Sequence, residues 1–170
     1  PIFKNQKVVE VVKLAQDITK NRLRNLYYLG QVRAINKSNA VIEFDMNGTI
    51  LDANENFLKA VGYTKEEILG KHHSMFCEEE YKNSNEYKKL WEKLNHGEFD
   101  SGEYLRIGKN GEKVWIKASY NPILDLEGDP FKVVKYAVDI TSKKNTMIEI
   151  EKEIKEFSSS LNKLSVASTN

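Results

Sequence analysis

The residues of this chain that are best suited to chemistry lie in the run KHHSMFC, which contains His72, His73 and Cys77. His73 and Cys77 are one helical turn apart, so a helical run would place both side chains on one face. Imidazole and thiol groups serve as acids, bases, nucleophiles and metal ligands. The sequence nevertheless contains no HExxH, paired CxxC, GxxxxGK[ST] or GxSxG motif. We therefore predict no catalytic residue, no metal site and no enzyme activity.

The composition limits the classes of protein to which this chain can belong. The 170 residues include 26 Lys+Arg and 25 Asp+Glu, for a net charge of +1, so we expect no nucleic-acid partner. The hydrophobic fraction of 40% is sufficient for a folded core. No apolar run is long enough to cross a membrane, so no direct membrane insertion is expected. A single cysteine fits a reducing compartment, which predicts a cytoplasmic location.

An internal repeat indicates how the chain is organised. Residues 12–19 read VKLAQDIT and residues 134–141 read VKYAVDIT, with the same Asp-Ile-Thr ending. We interpret residues 1–19 as the closing strand of a preceding copy of one unit, with residues 8–15 as the strand itself. Whether that strand packs within its own chain or exchanges with another is left open. Residues 20–38 then form a connector helix, residues 39–141 the complete domain, and residues 142–170 an exit helix.

Capping and turn signals divide the complete domain into strands and short helices. Asn54 and Ser84 are suitable N-caps, and Thr64 with Glu67 forms a capping box. Two Asn-Gly pairs indicate hairpin turns. The predicted strands are residues 40–45, 49–51, 103–107, 113–121 and 131–138, and the predicted helical segments are 55–61, 65–69, 71–77 and 85–95.

Side-chain alternation along the last two strands predicts which residues face the interior. Residues of one strand alternate between the two sheet faces. In residues 113–121 this places Trp115 on the outer face and the residues on either side of it inward. In residues 131–138 the same reasoning places Lys135 and Ala137 on the outer face and the residues that alternate with them inward. The two inward sets are Val114, Ile116, Ala118 and Tyr120, and Val134, Tyr136 and Val138.

The exit helix carries an apolar seam. Its apolar residues follow one another at steps of three and four, with Glu and Lys on the flanks, which is typical of a coiled coil. We therefore predict a homodimer through this helix, with packing back onto its own domain as the alternative. The seam residues are Met147, Ile150, Ile154, Phe157, Leu161 and Leu164.

These motifs together resemble PAS sensor domains over about residues 39–141. The resemblance rests on DMNGTILDANENFLKAVGYTKEEILGK, NGEKVWIKASYNPILD and VVKYAVDIT. In these segments the sequence is similar to the PAS domains of bacterial methyl-accepting chemotaxis and aerotaxis receptors. It implies an α+β PAS fold, in which short helices cover one side of a five-stranded antiparallel sheet, flanked by the connector helix and the exit helix. A ligand would lie between the last three strands and the helices. The implied ligand-binding residues are Asn54, His73, Trp91, Ile116, Tyr120 and Tyr136.

The resemblance leaves the cofactor open. EEILGKHHSMFC is similar to a segment of the flavin-binding LOV photoreceptors, but His73 stands where their reactive cysteine would be, which argues against blue-light chemistry. Haem sensors of the family carry their histidine on or just before the long internal helix, and residues 85–95 contain none. FAD is matched better than haem, through Asn54, His73, Met75, Trp91 and Trp115. An unliganded interior remains the other possibility.

The implied function is a cytosolic sensory and signal-relay module of a bacterial chemoreceptor. It would detect a small-molecule, redox or oxygen cue and pass it through Asp139, Ile140 and Thr141 to a dimeric coiled coil. An adjacent PAS repeat and a downstream signalling domain of the same chain would be its partners. Two alternatives stay open: a module regulating a histidine kinase or a cyclic-dinucleotide enzyme, and an unliganded dimerisation spacer in a PAS array.

Overall fold

The computed structural model describes residues 2–10, 12–13 and 16–167, without the side chains of residues 2, 3, 8–10, 162 and 164–167. The chain divides into two compact units, residues 1–35 and 36–170. In the first unit, strands β1 (Ile2–Lys4) and β2 (Lys7–Glu10) form an antiparallel hairpin, and helix α1 (Thr19–Ser38) begins. The strand predicted at residues 8–15 is thus shorter, because residues 12 and 13 are not in a strand, while residues 11, 14 and 15 lie outside the described residues.

The second unit is built on a five-stranded antiparallel sheet. Its strands are β3 (Ala40–Phe44), β4 (Ile50–Ala53), β5 (Asp100–Ile107), β6 (Lys113–Leu124) and β7 (Pro130–Asp139). Their order across the sheet is β4-β3-β7-β6-β5, so the first and last strands of the domain pair at its centre. This is the fold that the resemblance implied, and the prediction is confirmed.

Short helices connect β4 to β5 and cover one face of the sheet. They are α2 (Glu55–Val61), α3 (Lys65–Ile68), a 3₁₀ turn (His73–Phe76), α4 (Glu79–Lys82) and α5 (Asn85–Asn95). The predicted caps act as expected: Asn54 Oδ1 accepts from the Phe57 amide at 2.9 Å, and Ser84 Oγ from the Tyr87 amide at 3.1 Å. Helix α4 was not predicted.

The interior lies between these helices and the inward face of the sheet. On β6 the inward residues are the predicted ones, and Trp115 lies on the outer face, as expected. On β7 the predicted phase is wrong. Lys135 pairs with the inward Tyr120, and Tyr136 pairs with the outward Ser119. The buried apolar residues are Ala40, Ile42, Phe44, Ile50, Ala53, Phe57, Leu58, Val61, Ile68, Phe76, Leu90, Leu94, Val114, Ile116, Ala118, Tyr120, Val133 and Ala137.

Helix α6 (Thr141–Ala167) leaves the sheet directly from the end of β7. The described seam residues from Met147 to Leu161 are about half exposed to two-thirds exposed, with Phe157 at 66%. The side chain of Leu164 lies outside the described residues. The structure therefore leaves the predicted dimer seam uncovered in the single chain, and the homodimer stays a prediction. Within the described residues, no helix is both long and apolar enough to cross a membrane.

Candidate functional site

Two neighbouring histidines are directed to opposite sides by the turn that carries them. The His73 amide donates to the Gly48 carbonyl at 2.8 Å, and the backbone of His72 forms an isolated antiparallel β-bridge with Thr49. The His72 ring spans from Ser74 to the Asn47 carbonyl, at 2.8 and 2.9 Å. Gly48 has a φ of +84°, and an added Cβ would lie 2.7 Å from His72 Nε2, so the close approach needs glycine.

His73 is fully buried, and its ring joins two tyrosines from different elements. Nδ1 lies 3.0 Å from the Tyr87 hydroxyl on α5, and Nε2 lies 3.0 Å from the Tyr120 hydroxyl on β6. The Tyr120 hydroxyl also accepts from Arg106 Nη2 at 3.0 Å. Since a guanidinium only donates, the Tyr120 hydroxyl accepts from Arg106 and keeps its own proton for Nε2, which leaves Nδ1–H to donate to Tyr87. The geometry thus assigns His73 one neutral tautomer.

Burial sets the protonation of this chain of groups. Burial, then the nearby Lys135 and Arg106 charges, hold the pKa of His73 well below its usual value of 6.5. Burial also raises the pKa of Tyr120 to about 12. Burial raises the pKa of the Cys77 thiol, whose sulfur lies 3.9 Å from His73 Nδ1. Cys77 is therefore a protonated thiol rather than an activated nucleophile at neutral pH.

Arg106 is a buried cation without a carboxylate partner among the described residues. It is 2% exposed, and its guanidinium carbon lies 4.9 Å from the centre of the Tyr104 ring and 5.3 Å from that of Tyr81. Nη1 donates to the Leu105 carbonyl at 2.8 Å and Nη2 donates to Tyr120. Nε is buried without a hydrogen-bond partner. The guanidinium therefore has one buried N–H donor for which the described residues provide no acceptor.

Lys135 is a second buried amine, on the other side of Tyr120. It is 1% exposed, and its Nζ lies 4.7 Å from the centre of the Tyr120 ring and 5.8 Å from that of Phe57. No carboxylate within the described part of the chain forms an ion pair with it. A desolvated cation–π contact contributes about 2 kcal/mol, whereas burying an ion costs several kcal/mol. Burial, together with the Arg106 charge, accordingly lowers the pKa of Lys135 well below 10.5.

Sequence reasoning missed both buried cations. Arg106 belongs to a strand whose alternate residues Leu105 and Ile107 are apolar, which gave no reason to place the arginine inside. Lys135 was assigned to the outer face with the rest of its alternate set. The inward residues of β6 and their antiparallel partners on β7 must share a face. Counting the pairing from the turn at Glu127 to Asp129 would not have identified those partners, because the register shifts between Ile123 and Leu124; beyond that shift Lys135 lies opposite Tyr120.

The predicted ligand-binding residues do not all share one space. His73, Ile116 and Tyr120 lie in the interior, with Trp91 packed against it. Tyr136 lies on the outer face, in a shallow groove of about 400 Å³ that includes Lys117 and Ser119. The prediction that it lines the interior is therefore wrong.

Asn54 serves the backbone rather than the interior. Its Oδ1 accepts from the amides of Val41 and Phe57, and its Nδ2 donates to the Asn36 and Asn39 carbonyls. These contacts join α2 to β3 and to the end of α1. They leave the Asn54 amide group little capacity for a ligand.

A surface groove of about 490 Å³ lies outside the His73 cluster. Met46, His72, Asn95 and His96 form its sides. Tyr87 and Trp91 form its floor, and both rings lie with their centres 5.7 Å from that of His73. Two aromatic rings thus separate the interior cluster from the groove.

The three histidines do not fit a haem iron. Both ring nitrogens of His73 and of His72 have partners, and His96 Nδ1 lies 2.7 Å from the Glu92 carbonyl at the surface. An axial ligand needs a free imidazole nitrogen facing the cofactor. Among the residues that the structure describes, no group of three or more His, Cys, Asp or Glu could hold a metal ion.

A flavin ring does not fit the interior as it is packed. The rings of Phe44, His73 and Trp91 contact one another edge to face, with centres 5.2 to 5.9 Å apart. Tyr120 adds a further edge contact to His73 at 5.6 Å. A flavin could enter only by separating these rings.

The joint between the sheet and α6 is the second candidate site. The Trp115 amide donates to Thr141 Oγ1 at 2.9 Å, the Ile140 amide to the Trp115 carbonyl at 2.8 Å, and the Thr141 amide to Asp139 Oδ1 at 2.8 Å. Lys144 Nζ lies 5.1 Å from the centre of the Trp115 ring and pairs with Glu103 at 2.6 Å. The first turn of α6 is therefore fastened to two strands.

The repeat forms the same turn at its first copy. The Thr19 amide donates to Asp17 Oδ1 at 2.8 Å, and the Arg22 amide donates to the Ile18 carbonyl at 2.9 Å. In the second copy the Lys144 amide donates to the Ile140 carbonyl at 2.9 Å. Each Asp-Ile-Thr thus begins a helix through an identical side-chain cap.

Comparison with known proteins places this geometry in a family. Residues 38–142 match the model of the PAS domain. Biofilm dispersion protein BdlA of Pseudomonas aeruginosa is 39% identical over 137 residues, which is 81% of this chain and 33% of that protein. The aerotaxis receptor of Escherichia coli is 30% identical over 80 residues, 47% of this chain and 16% of that receptor. The chain therefore spans a third or less of the length of these relatives.

Solved structures agree on the fold. A PAS domain of a protein from Colwellia psychrerythraea matches with a TM-score of 0.59 at 22% identity, covering 68% of this chain and 98% of that one. A LOV protein of Rhodobacter sphaeroides matches with a TM-score of 0.57 at 18% identity, covering 68% of each chain. At such identities the likeness concerns the fold alone.

Proposed function

Because the chain belongs to the PAS domain family, we propose that it is the sensory and signal-relay module of a bacterial chemoreceptor. In this proposal, a cue acts on the domain interior and α6 carries the response to a dimeric coiled coil. The similarity to the aerotaxis receptor and to BdlA supports a chemotaxis-related sensor role. Cytoplasmic location, the homodimer and the identity of the cue belong to the proposal.

The joint at Asp139 to Thr141 is the observation that carries the proposal. Thr141 accepts a hydrogen bond from the backbone of β6, the strand that also carries Tyr120 of the interior cluster. A shift of β6 caused by the cue would therefore reach the first turn of α6 through a direct bond. A ligand that binds one arrangement of β6 and α6 better than another would shift the population towards that arrangement.

The first experiment tests the dimer. Sedimentation of the 170-residue chain is expected to show a dimer, which Ile154→Glu abolishes by placing a charge in the seam. Ile148→Glu is the matched control, since Ile148 is 56% exposed and lies outside the seam positions. Equal effects of the two substitutions, or a monomeric wild-type chain, would refute the dimer seam.

The second experiment tests the relay. In a Cys77→Ala background, Ile150→Cys reports contact between two exit helices through its rate of disulfide formation. Thr141→Val removes the acceptor for the Trp115 amide at nearly constant volume and is expected to change this rate several-fold. Thr146→Val is the control, because the Thr146 hydroxyl only donates to the Ser142 carbonyl within α6. If both valine variants change the rate alike, the joint is a helix cap without a relay role.

A further inference from the structure

We propose that the interior binds a small organic acid, with Arg106 and Lys135 as the groups that recognise its carboxylate. Both side chains are buried to 98% or more, and no carboxylate among the described residues pairs with either. The inference names the ligand class of the proposed sensory function and rests on that function for its biological purpose. The binding itself is measurable without any signalling readout.

Arg106 offers a carboxylate an unoccupied donor. Its Nε is buried and makes no hydrogen bond, while Nη2, on the same edge of the guanidinium, donates to Tyr120. A carboxylate accepts two parallel N–H groups from one edge of a guanidinium, and such charge-assisted pairs are short and strong. Arg106 Nη2 would then donate to the ligand instead of to the Tyr120 hydroxyl, and Tyr120 would keep its bond to His73.

Lys135 supplies the second positive group from the other side of the Tyr120 ring. Its Nζ lies 4.7 Å from the centre of the Tyr120 ring and 5.8 Å from that of Phe57. An anion that reaches both cations would supply the counter-charge that the protein itself does not. The partial repeat also carries a lysine at the matching position, Lys13.

The surroundings favour an organic acid over inorganic phosphate. The guanidinium lies between the rings of Tyr81 and Tyr104, and Lys135 lies against Phe57 and Tyr120. Aromatic walls match a ligand with an apolar body and a single ionised group, whereas a phosphate dianion would lose more hydration there. Tyr87 and Trp91 line a surface groove and also contact His73 of the interior, so in this proposal these two rings move to admit the ligand.

The test is a titration of the 170-residue chain with acetate, pyruvate and butyrate, followed by calorimetry and by thermal unfolding. At least one acid is expected to bind and to raise Tm in proportion to the logarithm of its concentration. Acetamide and butyramide, which keep the shape and lack the charge, are expected to have no effect. Lys135→Met and Arg106→Gln are expected to weaken binding at least about tenfold, the loss that follows removal of one charge-assisted pair.

Lys132→Met is the matched control, since Lys132 lies on the same strand and pairs with Glu43 on the outer face. It is expected to leave binding unchanged. Should Arg106→Gln fail to fold, Lys135→Met still tests the site. The proposal is overturned if none of the acids binds at about 10 mM, if phosphate binds in their place, or if Lys132→Met weakens binding as much as Lys135→Met. Binding that persists while Thr141→Val leaves the cross-linking rate unchanged would refute the relay and retain the ligand site.

Discussion

Lys132 and Lys135 lie on the same strand and on opposite faces of one sheet. Lys132 reaches Glu43 across the outer face at 2.7 Å, and both side chains are about one-third exposed. Lys135 points inward, 1% exposed, without a carboxylate among the described residues. The lysine on the outer face thus has a carboxylate partner within the chain, whereas Arg106 and Lys135 on the inward face have none among the described residues. An interior that served stability alone would be better filled with apolar side chains.

The two tyrosines of neighbouring strands test this contrast most strongly. Tyr120 is fully buried on the inward face, and Tyr136 is half-buried on the outer face. Tyr120→Ala is expected to lower the free energy of unfolding by about 3–5 kcal/mol because it leaves a large cavity. Tyr136→Ala is expected to lower it by about 1–2 kcal/mol, from lost apolar burial alone. Urea denaturation measures both, and equal losses would contradict the assignment of faces.

The two lysines themselves provide the next test. Lys135→Met is expected to raise the free energy of unfolding by about 1–4 kcal/mol, because an apolar side chain of similar length replaces an amine that is buried without a counter-charge. Lys132→Met is expected to lower it by no more than about 1 kcal/mol, the value of a partly exposed ion pair. A destabilised Lys135→Met protein in the same denaturation experiment would show that the ring contacts outweigh desolvation.

The pH dependence of stability sharpens the same comparison. The folded protein holds the pKa of Lys135 below 10.5, the value for an exposed lysine. At a pH between the pKa in the folded protein and 10.5, the unfolded chain therefore binds a proton that the folded chain does not. Folding stability therefore rises with pH in that window, by at most about 1.4 kcal/mol per pH unit. The advantage of Lys135→Met over the wild type is expected to shrink as the pH rises towards 10.5. Parallel curves of unfolding free energy against pH for the wild type and Lys135→Met would contradict a depressed pKa of Lys135.

The smallest expected effect concerns the joint at the end of β7. Asp139→Ala removes the cap of the Thr141 amide and is expected to lower the free energy of unfolding by about 1 kcal/mol. The response of a receptor containing this domain is expected to change, since the direction of α6 is less fixed. Chemical denaturation and the receptor response are measured on the same variant. An unaltered response with the same stability loss would reduce Asp139 to a structural cap.

Local signals in the sequence predicted most of the fold. Asn54, Ser84 and the Asn-Gly pairs act through neighbours in the chain, so helices α2 and α5 have the predicted bounds, and the strands differ by a few residues at their ends. Helix α4 lacks such a signal. Its preceding residue, Glu78, makes no side-chain cap.

The interior could be predicted only in part, because its phase depends on pairing between strands. Hydrophobicity alone assigned Tyr136 and Val138 inward, yet the register with β6 places Lys135 there. Arg106 and Lys135 meet Tyr120 from strands β5 and β7, which are distant in sequence. No spacing along the chain encodes such a meeting. Of the two charges in the proposed site, sequence reasoning therefore placed Lys135 on the outer face and left Arg106 unassigned.

The attachment of α6 at its first turn makes the helix a lever. With 27 residues at about 1.5 Å each, α6 is about 40 Å long. A tilt of about 5° at Thr141 would displace the far end by about 3.5 Å, close to the contact distance between two carbon atoms. A rearrangement too small to break a hydrogen bond in the sheet would thus be large enough to separate packed side chains at the other end of the helix.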